Sequence, residues 1–132
     1  MLVTGTRIAL DTSQAIAVLN NTGDTGVWVT GFSEVCLPVP VIGELRYGAL
    51  NSRRAADNLT RIDRLVDRCR VFDVNAVTAD TYARVRVQLK RAGHPIPEND
   101  VWIAALCIQH AVSLATSDQH FNAVEELKVV AR

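Results

Sequence analysis

The sequence holds three cysteines and no CxxC pair. Cys36, Cys69 and Cys107 are odd in number and far apart, which argues against a disulfide framework. They are expected to be buried free thiols in a reducing, cytosolic compartment. Long hydrophobic runs are also missing. Arg7 and Asp11 interrupt the N-terminal stretch, so it does not read as a signal peptide. No run approaches the roughly 18 apolar residues of a membrane span, so neither secretion by that route nor a transmembrane chain is expected. Internal repeats and low-complexity tracts are absent. Formal net charge is zero, which removes any global electrostatic argument for nucleic acid. Lysine is scarce, since twelve of the fourteen basic residues are Arg. Four bases and no acid lie between Tyr82 and Ile96. Guanidinium forks suit phosphate, although a solvated helix face explains the same pattern. His94, His110 and His120 are scattered, without the spacing of a metal-ligand pattern, and are not counted as ligands.

What remains is ordinary globular composition, 48% hydrophobic and 21% charged over 132 residues, enough for one domain with a respectable core. Ile8-Ala9-Leu10 reads as a buried strand that stops at Asp11. Ser13 is expected to cap a helix through about Asn20, with Ile16 and Leu19 inward. A loop spans Asn21 to Gly26, and a short helix behind Asp24 is preferred over a strand for Val27 to Phe32. Val35-Cys36-Leu37 is a second strand, closed by Pro38. Pro40 suits the first turn of a helix whose stripe is Ile42, Leu45, Ala49 and Leu50.

A further helix runs from about Arg54 to Cys69, and Val71-Phe72 is a short strand. Asn75 caps a helix that Gly93 ends. Pro95 and Pro97 stop what precedes them, and Asn99 is expected to cap a buried helix from Asp100 to about His110. Ser113 to Thr116 is the fourth strand. A helical turn near Asn122 to Glu126 leads to Lys128-Val129-Val130, the fifth. Strands alternating with helices predict an α/β fold, with a central, mostly parallel five-stranded sheet flanked by helices.

In such sheets ligands bind beyond the carboxyl ends of the strands, where the winding reverses. Asp11 and Asp118 each follow a strand on that edge. Glu44 and Asp100 line or start helices that leave it. Four carboxylates from distant parts of the chain therefore converge on one crevice. They repel one another unless cations neutralise them. Oxygen donors suit Mg²⁺ or Mn²⁺ rather than zinc. Such ions serve in-line displacement at phosphorus, so metal-dependent phosphodiester hydrolysis is the matching reaction class.

Four stretches carry a resemblance over nearly the whole chain. They are Leu10-Asp11-Thr12-Ser13, then Gly43-Glu44-Leu45-Arg46-Tyr47-Gly48-Ala49, then Ile96-Pro97-Glu98-Asn99-Asp100-Val101-Trp102-Ile103-Ala104-Ala105, and finally Ala115-Thr116-Ser117-Asp118-Gln119-His120-Phe121. In this order and spacing the sequence resembles the PIN-domain ribonucleases, specifically the VapC-type toxins of bacterial toxin–antitoxin pairs. The resemblance implies a three-layer PIN fold over residues 1–132. It implies that Asp11, Glu44, Asp100 and Asp118 bind Mg²⁺ or Mn²⁺ for RNA hydrolysis. Asp11 and Asp100 would be the principal ligands and Glu44 would hold or orient water. Thr116 would be the first of the supporting polar groups, with Thr12, Ser13 and Asn99. It also implies a homodimer and a cognate antitoxin that lays a helix over the groove and can push a basic side chain into the acidic pocket. Accessible loops of tRNA or ribosomal RNA are plausible substrates.

Trp102, Ile103 and Ala105 are read as core rather than RNA-stacking groups, and Leu45 and Tyr47 as packing or dimer contacts. Arg46 either binds phosphate or pairs with an acid. Two other classes stand beside the nuclease. A catalytically idle PIN module that binds RNA or protein should have lost an acid, and none is lost. A phosphatase with Asp11 as nucleophile would be expected to carry a second Asp two residues on, where Ser13 stands.

Overall fold

The computed structural model describes residues 3–132, with side chains described from Thr6 onward. Five strands, β1 (Val3–Leu10), β2 (Phe32–Pro38), β3 (Arg70–Phe72), β4 (Ser113–Thr116) and β5 (Val129–Ala131), form one sheet in the order β3-β2-β1-β4-β5. Every neighbouring pair is parallel. Six helices connect and cover it: α1 (Thr12–Leu19), α2 (Thr25–Trp28), α3 (Val39–Leu50), α4 (Ala55–Asp67), α5 (Ala76–Ala92) and α6 (Glu98–Gln109). The expected α/β architecture is the observed one. Among the described residues no helix is long and apolar enough to cross a membrane.

The central strand explains its own sequence. β1 is paired on both sides, with Ala9 opposite Cys36 in β2 and Leu114 in β4. Ile8, Ala9 and Leu10 are all buried, as a strand covered on both faces requires, so the run is continuously apolar rather than alternating. Cys36, Leu37, Leu114 and Ala115 extend the same core into the flanking strands. Each fully buried Leu or Ile there contributes roughly 1.5–3 kcal/mol. Helix α6 is buried at six positions from Val101 to Cys107, which fits its nearly all-round apolar sequence. It packs on α5, and α3 packs on α4. Asn75 caps α5 by accepting from the Val77 and Thr78 amides, and Gly93 ends it with a left-handed φ of 70°.

Several local expectations are corrected. The cap of α1 is Asp11, whose carboxylate accepts from the Gln14 amide, because Asp11 alone separates the strand from the helix. Ser13 lies inside the helix and is exposed. Pro97 takes the cap position of α6, accepting with its carbonyl from Asp100 and Val101, and Asn99 falls within the first turn. Ile16 and Leu50 face outward, 44% and 67% exposed, although helical spacing put them on inner stripes. The last helical turn is a 3₁₀ segment at Gln119–Ala123, earlier than expected, because Asp118 caps it. The short helix preferred for the stretch after Asp24 is present, running into a 3₁₀ turn at Val29–Gly31, and Phe32 already belongs to β2.

Candidate functional site

The sheet winds outward from β1 through β2 to β3 on one side and through β4 to β5 on the other. The carboxyl ends of β1 and β4 therefore flank the reversal point, where an open α/β sheet leaves a crevice. Asp11 follows β1 directly, and Asp118 lies two residues beyond β4. Glu44 comes from the first half of α3, and Asp100 from the first turn of α6. All four carboxylates line one cavity of about 300 Å³, together with Thr12, Ser13, Asn99 and Ile103. The structure thus brings the four sequence-predicted acids together.

The polar groups between them are ordered. Asp11 is 5% exposed, and both its oxygens are engaged. Oδ1 accepts from the Gln14 amide at 2.9 Å, and Oδ2 accepts from the Thr116 hydroxyl. Thr116 is itself buried, and its oxygen accepts from the Asp118 amide at 2.9 Å. One hydroxyl at the end of β4 therefore ties the β1 acid to the turn that carries Asp118. Asn99 donates from its side-chain amide to Glu44 Oε1 at 2.5 Å, linking α6 to α3. This link depends on Asn99 lying one residue inside the helix rather than at its cap.

The electrostatics are those of crowded anions. Burial lifts the Asp11 carboxyl above its ordinary range, the Asp118 and Glu44 charges push the same way, and the Thr116 and Gln14 bonds oppose. Asp100 is pushed up to about 6, first by burial and then by Asp118 and Glu44, with His120 partly offsetting. Among the described residues no Lys or Arg forms an ion pair with the cluster. The ion pairs of Arg7, Arg46, Arg54, Arg84 and Arg132 all go to other acids. The Thr12 hydroxyl oxygen, at the edge of the same cavity, is buried without a hydrogen-bond partner. Carboxylates with no Lys or Arg among them, an unpartnered hydroxyl and an oxygen donor set together fit a hard divalent cation.

His120 was not among the expected site residues, and the structure corrects that omission. Its Nδ1 lies 3.3 Å from Asp118 Oδ1 and 3.8 Å from Asp100 Oδ2. The signal available in sequence was Asp118-Gln119-His120, a two-residue step inside a turn that follows a strand. Of the two roles left open for Arg46, the structure has it paired with Asp63 at 2.8 Å. Ile103 and Ala105 are core. Trp102 stacks on Tyr82 with centroids 3.8 Å apart. Leu45 is buried whereas Tyr47 is exposed.

The PIN-domain family profile matches residues 8–127. The chain belongs to the PIN-domain family, and within it to the VapC type. Ribonuclease VapC5 of Mycobacterium tuberculosis is 32% identical over 96 residues, covering 69% of each chain. Ribonuclease VapC4 of the same organism is 28% identical over 94 residues, 70% of this chain and 72% of the relative. The crystal structure of VapBC-5 from M. tuberculosis, a member of the VapBC family of toxin–antitoxin systems, superposes with a TM-score of 0.76 at 25% identity, covering 96% of this PIN domain and 98% of that chain.

Proposed function

We propose that the chain is a Mg²⁺- or Mn²⁺-dependent endoribonuclease toxin, one PIN domain over residues 1–132, acting in the cytoplasm and silenced by a cognate antitoxin. The observation that carries this reading is the meeting of Asp11, Glu44, Asp100 and Asp118 in one cavity at the reversal point of the sheet. The names of the relatives, ribonucleases of the VapC type, point the same way.

Asp11 and Asp100 are the principal ligands in this reading, with Glu44 and Asp118 completing the set. A divalent ion held there supplies charge stabilisation at the phosphoryl group and lowers the pKa of water. The chain's own residues do the positioning. Thr116 fixes the orientation of Asp11 and of the turn bearing Asp118. Asn99 occupies one oxygen of Glu44, and the other would orient the attacking water. The bond broken is the P–O3′ bond, leaving a 5′-phosphate and a 3′-hydroxyl. Substrates are accessible loops, as in tRNA or ribosomal RNA.

The antitoxin reading is supported by an apolar groove beside Glu44, about 240 Å³, lined by Ile16, Leu19, Leu45 and Ile62. Its apolar lining suits side chains from one face of an amphipathic helix. The outward Ile16, unexplained by the chain's own core, has a partner in that arrangement. A homodimer is part of the same proposal.

Purified, antitoxin-free protein is to be incubated with a mixed cellular RNA pool, with Mg²⁺, with Mn²⁺ and with chelator. Discrete cuts that require metal, and that disappear in Asp100→Asn, are expected. Equal cutting by Asp100→Asn would overturn the proposal.

A further inference from the structure

Among the described residues, His120 brings an imidazole nitrogen beside two acids of the cavity, Asp118 and Asp100. It sits in the first turn of the 3₁₀ segment Gln119–Ala123, where the Asp118 carboxylate caps its backbone amide at 2.9 Å. That cap holds ring and carboxylate on the same side of the turn. Nδ1 then faces Asp118 Oδ1 at 3.3 Å and Asp100 Oδ2 at 3.8 Å. One donor atom from each of Asp100, Asp118 and His120 falls within 4.8 Å of the others. Neighbouring corners of an octahedron with ligands at about 2.1 Å are about 3 Å apart, and opposite corners about 4.2 Å. The two ring-to-carboxylate distances, 3.3 and 3.8 Å, lie within about 1 Å of the neighbouring-corner separation, a closure that side-chain rotation of the exposed ring supplies. Among the described residues the ring makes no hydrogen bond to either carboxylate, although it stands beside both. Its side chain is 55% exposed, so packing does not explain where it points.

Resting on the proposed metal-dependent reading of the acids, we infer that His120 is an additional ligand of the ion held by Asp100 and Asp118, and that it biases the site toward a first-row transition ion over Mg²⁺. Imidazole suits transition ions, whereas Mg²⁺ prefers oxygen and parts reluctantly with its water. A carboxylate-only cluster has no reason to favour Mn²⁺ strongly. One imidazole in the set supplies such a reason. In the cell the choice of ion would then follow the availability of manganese as well as that of magnesium.

The probe is Mn²⁺ itself, titrated into tag-free protein and read by electron paramagnetic resonance. Pulsed measurements on the loaded protein are expected to show modulation from one directly bound nitrogen. In His120→Asn that modulation should vanish, with Mn²⁺ affinity falling about tenfold while Mg²⁺ affinity, measured by competition, changes less than about threefold. His120→Asp returns an oxygen donor and should keep Mg²⁺ bound about as tightly as the parent does, with the nitrogen signal still absent. Melting curves establish that each variant is folded. Mn²⁺ bound by the parent protein with no nitrogen modulation would overturn the inference and leave the acidic site standing. Failure of the folded parent to bind Mn²⁺ at all would overturn both.

Discussion

Asn99 and Glu44 are 55 residues apart in sequence, yet they share a hydrogen bond of 2.5 Å that joins α6 to α3 across the acidic cavity. The bond spends one oxygen of Glu44 on orientation. Asn99 is exposed, so its value to the fold is small. Asn99→Ala is therefore expected to leave stability within roughly 0.5 kcal/mol of the parent and to slow RNA cleavage roughly 10- to 100-fold. Paired urea melts and single-turnover cleavage assays measure the two effects. An equal loss in both would place Asn99 among structural residues instead.

Metal-free protein should lose stability as pH rises through the weakly acid range. The Asp100 pKa is pushed from 3.8 up to about 6, and Asp11 is raised as well. Between the unfolded and folded values the native state binds more protons than the unfolded chain, so stability falls with increasing pH and levels off above about 6. The Asp100 part amounts to something on the order of 2 kcal/mol. Thermal melts in chelator from about pH 4 to pH 7 should show the decline. Asp100→Asn should flatten it and raise the melting temperature near neutrality, while added Mn²⁺ should reverse it in the parent only. A metal-free melting temperature that climbs over this range would refute the repulsive cluster.

Thr116→Val tests the hydroxyl that serves two acids. The substitution preserves shape while removing the donor to Asp11 and the acceptor of the Asp118 amide. A buried carboxylate stripped of a donor costs about 1–3 kcal/mol, and that is the expected loss in denaturant unfolding. Metal affinity should fall too, because the turn carrying Asp118 is no longer tied to β1. Thr116→Ser retains the hydroxyl and is expected to recover most of both losses. If Thr116→Val matches the parent in urea, the bond carries no net weight.

The three thiols should be inert in the native protein. Burial pushes Cys36 to about 12 and Cys69 to about 11, and raises the fully enclosed Cys107 further. Thiolate is the reactive form, so alkylation near neutral pH is expected to be slow until the chain unfolds. Mass spectrometry after iodoacetamide treatment, with and without denaturant, reads this out. Rapid native labelling of Cys36 or Cys107 would contradict the enclosed core.

The four acids were legible in sequence because each sits where a local pattern changes. Ile8-Ala9-Leu10 gives way abruptly to Asp11, and Leu114-Ala115-Thr116 gives way to Ser117-Asp118. The helix starts near Pro40 and Pro97 place Glu44 and Asp100 at the same edge. Such transitions are written in neighbouring residues. Asp11 as a helix cap, Asn99 on Glu44 and His120 between two carboxylates were not legible. Each depends on how a turn meets an element that arrives from elsewhere in the chain. Ile16 and Leu50 show a second limit. Helical spacing identified an apolar stripe, but which edge of it stays open is decided by the helix packed opposite.

The pairing of β1 with β4 has a consequence in time. Ala9 finds Leu114 only after more than a hundred residues have been laid down between them. Until that late contact forms, Asp11 and Asp118 belong to separate stretches of chain, with no mutual repulsion. A growing polypeptide would therefore carry all the sequence of α1 to α6 and still be harmless to RNA. The acidic site is therefore assembled only when the sheet closes, and it comes apart when that pairing opens.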